Sequence, residues 1–186
     1  FTGPDDYLMG YTLGEDLEAR NPGDSEGKKV GIISGYKDTC YAGERTRGVL
    51  DALADTDYEI QFTINVTYET SITEMFIQQK PVDYLIVLET GILEEIAKIL
   101  SDKQENGMKV YGIGSSIKCV YYLDEAVIDG LIVVDGYDMG YQSGLQISDM
   151  LNKRLHRIKN QATDYRLLHR EDIFSEDTQK FLYTFY

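Results

Sequence analysis

Short apolar runs alternate along this chain with segments in which apolar residues return every three or four positions. The runs at 30–33 (VGII), 82–88 (VDYLIVL), 109–113 (KVYGI) and 131–134 (LIVV) have the length and composition of strands buried on both faces of a parallel sheet. A further strand is predicted at 58–66 (YEIQFTINV), where apolar and β-branched residues alternate. Between the runs, helical spacing predicts helices over 41–54, 69–80 (Ile72, Met75, Phe76, stopped by Pro81), 92–100 and 121–128, the last ended by Gly130. Met139, Leu145, Ile147, Met150, Leu151, Leu155 and Ile158 fit one long helix over 137–158, with basic residues near its C-terminus where the dipole favours them. Near the start, Tyr7, Leu8, Met9, Leu13 and Leu17 mark a helix ending near Arg20, and Asp5 or Asp6 is either its N-cap or a ligand-facing carboxylate. Residues 21–29 (NPGDSEGKK) form a loop, 164–169 (DYRLLH) a last strand, and 175–186 a short aromatic-rich helix or tail.

Strands and helices therefore alternate without a hairpin signal, which predicts a doubly wound parallel α/β sheet with flavodoxin-like strand order 2-1-3-4-5. In such a sheet ligands sit outside the carboxyl ends of the strands, where the amides of the following helices point. The segment 28–53 (KKVGIISGYKDTCYAGERTRGVLDAL) is strand, loop and helix in that order. Its loop is the first place to look for a binding site.

Composition narrows the choice of partner. With 32 acidic and 18 basic residues, the net charge of −14 repels phosphate backbones and anionic lipid heads, which argues against nucleic-acid binding. No apolar run reaches the roughly 20 residues that span a bilayer, and no basic stretch with an apolar core precedes the first helix. The chain begins at Phe1 rather than Met, as a processed or excised piece would. The triplet Asn65-Val66-Thr67 matches a glycosylation sequon, a pattern common by chance and given no role here.

Catalytic chemistry is sparse. His156 and His169 stand far apart in sequence with no nucleophile arranged around either, so each reads as a solvated or hydrogen-bonded histidine. Asp5-Asp6 and Glu94-Glu95 are adjacent pairs, whose side chains diverge on a helix and form no acid/base dyad. Cys40 lies in the first crevice loop without a visible base. There is no GxGxxG and no Walker lysine. Neither a catalytic set, a metal site nor a cofactor is predicted.

The run Gly35-(x)6-Ala42-Gly43-Glu44-Arg45-Thr46-Arg47-Gly48-Val49, a strand-end glycine followed by an ERxxG helix start, resembles the second lobe of type I periplasmic binding proteins. That family includes sugar-binding proteins and the effector domains of LacI-type repressors. Other landmarks agree in order: Asp5-Asp6 with Gly10 resembles the family's DN…G after the first interlobe crossing. Likewise 82–88 resembles the strand before its ND, 110–114 its VxGFD strand, Gly140 the glycine after the second crossing, and 165–170 its closing strand. The resemblance spans residues 4–170 and implies a whole first lobe upstream of Phe1. It also implies losses. Gly43 stands where sugar-binding members carry a ligand-clasping arginine, Leu88-Glu89 where they carry Asn-Asp, Gly114 where they carry an aspartate, and Val134 near their crossing glutamine. Such changes leave sugar hydroxyls unpaired, which argues against an ordinary pentose or hexose site.

What the resemblance implies is a non-enzymatic domain, residues 1–170, that binds a sugar or another small polar solute for uptake, transcriptional control or signal sensing, followed by an aromatic tail, 171–186. An enzyme is the weaker reading. The alternative is a degenerate-pocket sensor or protein-interaction module of a signalling protein. The candidate ligand-binding residues are Asp5, Asp6, Tyr36, Lys37, Asp38, Thr39, Tyr41, Glu89, Ser115, Ser116, Asp135 and Tyr137, at strand ends or helix starts, with tyrosine, 15 of 186 residues, offering stacking surface. The helix over 137–158 belongs in the family to the first lobe, so in this chain its apolar face predicts repacking, homodimerisation or partial exposure. An extracytoplasmic site of action is expected ahead of a cytoplasmic one. Cys40 and Cys119 leave the same sheet end, so a disulfide between them is allowed and not required.

Overall fold

The computed structural model describes residues 1–23, 25–67, 69, 71–103, 107–152, 157 and 159–183. A short β1 (Thr2–Gly3) leads into α1 (Asp6–Arg20), after which strand and helix alternate. They are β2 (Lys29–Ser34), α2 (Cys40–Leu53), β3 (Glu59–Asn65), α3 (Ile72–Ile77), β4 (Tyr84–Val87), α4 (Thr90–Lys103), β5 (Lys109–Ile113), α5 (Ile117–Asp124), β6 (Gly130–Val134) and α6 (Gly136–Leu151). The chain then returns through β7 (Gln161–Ala162) and β8 (Tyr165–Leu168), makes a 3-10 turn (Arg170–Asp172) and forms α7 (Glu176–Leu182).

The main sheet runs β3-β2-β4-β5-β6-β8. Its first five strands are parallel, and in chain order they read 2-1-3-4-5, the predicted arrangement. β8 adds an antiparallel edge, with Leu131 opposite Leu168 and Val134 opposite Tyr165. Side chains of successive strand residues point to opposite faces, and β4 shows the outcome: Leu85 and Val87 join the core under α4 and α5, while Tyr84, Ile86 and Leu88 join the core under α1 and α2. Every one of those five is buried, which is why the run lacks polar alternation. The C-terminal segment joins the first of these cores, with Ile173 buried in it and Phe181 packed against it.

Helices α1 and α2 cross at van der Waals distance because glycine occupies both sides of the contact. A Cβ at Gly10 would lie 2.0 Å from the Arg45 carbonyl oxygen, and one at Gly48 2.1 Å from the Tyr7 carbonyl oxygen. The glycine of the ERxxG pattern is therefore a packing residue that brings two backbones together.

Three elements differ from the sequence expectation. α3 is shorter, starting only after Ser71, whose hydroxyl accepts from the Glu74 amide at 3.4 Å. α5 begins at Ile117 instead of Tyr121, because Ser116 caps it. Gly130 opens β6 and does not end a helix; a Cβ there would lie 2.7 Å from the Tyr111 ring. α6 is described to Leu151, and the predicted continuation at 153–156 and 158, including His156, lies outside the described residues. β1 and β7, two residues each, form a separate parallel ribbon that no periodicity announces, with Thr2 opposite Gln161 and Gly3 opposite Ala162. The amides of Gln161 and Thr163 donate to the carbonyls of Phe1 and Gly3 at 2.9 and 3.1 Å.

Candidate functional site

Because β2, β4, β5 and β6 are parallel neighbours, their carboxyl ends lie in one row: Ile33 pairs with Val87, Val87 with Gly112, and Ile113 with Ile132. The loops leaving that row carry most of the candidate residues. What those side chains already bond to decides what they can offer a ligand.

Five of them cap or brace helix starts. Asp5 accepts from the Leu8 amide at 3.0 Å and caps α1. Glu89 accepts from the amides of Gly91 and Ile92 at 2.9 and 3.2 Å at the start of α4. Ser116 accepts from the Cys119 amide at 3.1 Å, and Asp135 from the Asp138 amide at 2.8 Å. Thr39 holds the N-cap position of α2 but turns its hydroxyl to the Tyr36 carbonyl, 2.6 Å away. The first four accept from amides that a helix terminus leaves without an internal partner, whereas Thr39 braces the turn that leads into α2. Ser115 spans two strands, accepting from the Val134 amide at 3.1 Å. Hydrogen bonds from Ser116 and Lys118 hold the Glu94 carboxyl below the usual carboxylate range, and burial pushes the Cys119 thiol up. Cys40, exposed at the start of α2, and buried Cys119 are both free.

The densest polar arrangement centres on Arg45, a residue of the ERxxG pattern that was not among the candidates. Its Nε donates to Asp6 Oδ1 and its Nη1 to the Leu88 carbonyl, each at 2.8 Å. Its guanidinium lies 4.9 Å from the centre of the Tyr41 ring. Arg45 and Asp6 are both more than four-fifths buried. One side chain thus ties the start of α1, the first turns of α2 and the end of β4 together. A Cβ at Gly35 would meet both the Tyr41 ring and Glu89 Cγ, at 3.2 and 3.6 Å, so Asp6, Tyr41, Arg45 and Glu89 form one cluster. Its sequence signal was the arginine's place one turn into a helix that starts at the crevice. Lys37 and Asp38 are exposed on the loop above, Tyr36 is half-buried and packed against the core, and Tyr137 is exposed and stacked on Tyr141, ring centres 6.1 Å apart.

The capping carboxylates of α1, α4 and α6 each turn to their own helix and do not converge. Among the described residues no group of three or more His, Cys, Asp or Glu is placed to hold a metal ion. The arrangement offers hydrogen-bonding groups and aromatic faces at the carboxyl end of the sheet, with Arg45 tying α1, α2 and β4 together beneath them.

A single α/β lobe with its polar loops at the carboxyl end of a parallel sheet, and a two-stranded ribbon beside it, defines a class of binding domain. The chain belongs to the periplasmic binding protein domain family, whose profile matches residues 1–155. No curated protein sequence matches it. Among solved structures it resembles a carbohydrate transporter solute-binding protein from Agrobacterium radiobacter in complex with D-arabinose, at 17% identity, with 98% of this chain and 65% of that one covered and a TM-score of 0.81. A LacI-type transcriptional regulator from Bacteroides fragilis matches at 17% identity, 93% and 62% coverage and a TM-score of 0.76. A complex of XylFII with LytSN matches at 16%, 91% and 61%, with a TM-score of 0.75. At these identities the likeness is one of fold. The chain spans less than two thirds of the length of each of these structures.

Proposed function

We propose that this chain is the second lobe of a non-enzymatic binding protein, closing on a small polar solute against a first lobe upstream of Phe1. The observation that carries the reading is the β1/β7 ribbon. Two extended segments lie side by side outside the main sheet, one entering α1 and the other leaving the α6 region, as crossings between two lobes would. The ligand-binding unit is residues 1–170, followed by the aromatic C-terminal segment 171–186, whose Ile173 and Phe181 pack on the core of that unit. The protein acts outside the cytoplasm, in uptake or sensing.

The solute is held by aromatic faces and by the exposed Lys37 and Asp38 more than by the capped carboxylates. At least seven of the twelve candidates, Asp5, Asp6, Thr39, Glu89, Ser115, Ser116 and Asp135, already bond within the domain. Displacing such bonds costs what a new one returns. That same saturation supports a second reading, a sensor or partner-binding module with a degenerate pocket, and XylFII with LytSN is a fold relative solved with a partner.

A thermal-unfolding screen of the whole protein against sugars, polyols, nucleosides and amino acids separates the two. A ligand present at 100 times its dissociation constant adds about 2.7 kcal/mol of stability. A shift confined to one chemical class supports the solute-binding reading. A flat panel overturns it and leaves the partner-binding module.

A further inference from the structure

At the amino-terminal end of the sheet, opposite the crevice, lies a polar cluster that the binding function does not use. His169 follows β8 directly and is buried. Its Nδ1 is 2.8 Å from the Asp129 carbonyl oxygen, and its Nε2 is 3.1 Å from Asp16 Oδ1 on α1. A carbonyl oxygen only accepts, so Nδ1 carries a hydrogen. A neutral imidazole then has a bare Nε2 facing a carboxylate, two acceptors in contact with no hydrogen between them. The geometry is satisfied only when the pair holds one more proton, as imidazolium with carboxylate. Asp16 Oδ2 is itself buried with no hydrogen-bond partner among the described residues, so Asp16 depends on Oδ1 for its pairing.

We propose that Asp16 and His169 share one proton as a latch between α1 and the end of β8, and that alkaline surroundings release it. The charged groups around the latch leave this balance in place. On α1, Arg20 lies 3.7 Å from Asp16 Oδ1 and bonds Glu171 at 2.8 Å. On the turn after β8, Asp172 accepts from the His169 amide at 2.9 Å, and Arg170 faces Asp124 of α5 at 3.8 Å. Asp129, ahead of β6, spends its carboxylate on the Val110 amide at 2.8 Å. On β5, Lys109 bonds the side chain of Asn21, and burial pushes the Tyr111 phenol up to about 12, so it stays neutral. For His169, burial acts to lower the pKa, but the hydrogen bonds to Asp16 and the Asp129 carbonyl outweigh it and the net shift is upward.

The sign follows from that upward shift. The unfolded chain titrates its histidine near 6.5, so the latch contributes fully below that value. Its contribution is lost as pH rises through the higher folded value. Across that window the unfolding equilibrium constant rises by up to tenfold per pH unit.

The test is denaturant unfolding of the chain from pH 5.5 to 8.5, alongside NMR titration of the His169 ring, in the native sequence and in Asp16→Asn. An asparagine amide donates to a neutral imidazole, so Asp16→Asn keeps a bond and removes the need for the proton. His156→Gln, at the only other histidine, serves as the control. The latch predicts a His169 midpoint above 6.5, a downward shift of that midpoint in Asp16→Asn, and loss of the pH slope in that variant alone. An ordinary or lowered midpoint, or an unchanged slope in Asp16→Asn, overturns it. Should the variant fail to fold, amide exchange at Leu168 in the native protein decides. Protection that falls with pH beyond the intrinsic rate supports the latch, and protection flat through the window refutes it.

Discussion

Single residues here do work that their chemistry does not advertise. Gly48 looks like a loose spot in a helix, yet with Gly10 it lets the backbones of α1 and α2 touch. Gly48→Ala is expected to destabilise by about 1–3 kcal/mol, because the new methyl must push two backbones apart; denaturant midpoints measure it. Gly43, on the same helix and with open space around it, tolerates alanine and serves as the internal comparison. Arg45→Ala removes two charge-assisted bonds and leaves Asp6 mostly buried without its cation. A loss of about 3–5 kcal/mol is expected, and a loss under about 1 kcal/mol, the range of an exposed pair, would show that Arg45 with Asp6 behaves as a surface pair.

At the scale of elements, α6 is inverted. Its exposed positions are Gly136, Tyr137, Gly140, Tyr141, Gly144, Leu145, Ile147, Ser148, Met150 and Leu151, without a charge among them, while Asp138 and Asp149 are half-buried. Gln146 is its one buried residue and bonds the ribbon side chains of Thr2 and Gln161 at 3.5 and 3.3 Å. An uncharged face of this kind calls for a cover. We expect the proposed first lobe to supply it in the whole protein, and a second copy to supply it in this chain alone. Sedimentation of the chain is expected to show dimers that Leu145→Lys with Ile147→Lys dissociates, with little change in melting temperature.

Four of the sheet strands, β2, β4, β5 and β6, were legible in the sequence because burial on both faces writes itself as an apolar run, while β3 showed as an alternating segment and β8 as the short run at 164–169. The ribbon was not, since two residues carry no period. The start of α5 was misplaced although Ser116 stood in plain sight: a serine at a strand end reads equally as a cap or as a ligand contact, and only the 3.1 Å bond to the Cys119 amide decides. The same ambiguity explains the candidate site. Its location followed from strand order, but which groups were already occupied depended on long-range pairs such as Asp6 with Arg45, and those have no local signature.

For the molecule as a whole, a net charge of −14 on 186 residues means self-repulsion in the compact state. Salt shortens the reach of that field from roughly 30 Å at 0.01 M to about 8 Å at 0.15 M. Melting temperature is therefore expected to rise over that range. A fall would show that ion pairs such as Arg45 with Asp6 outweigh the repulsion. No described helix is long and apolar enough to cross a membrane.

The ribbon also bears on the order of folding events. It joins parts of the chain about as far apart as Phe1 and Asn160, 159 residues, and closing a flexible loop of that length costs roughly 4–5 kcal/mol of chain entropy. Two residues on each side cannot repay it alone. The intervening sheet must first draw the ends together, so β1 and β7 register last and part first, and the amides of Gln161 and Thr163 report when the domain has finished closing.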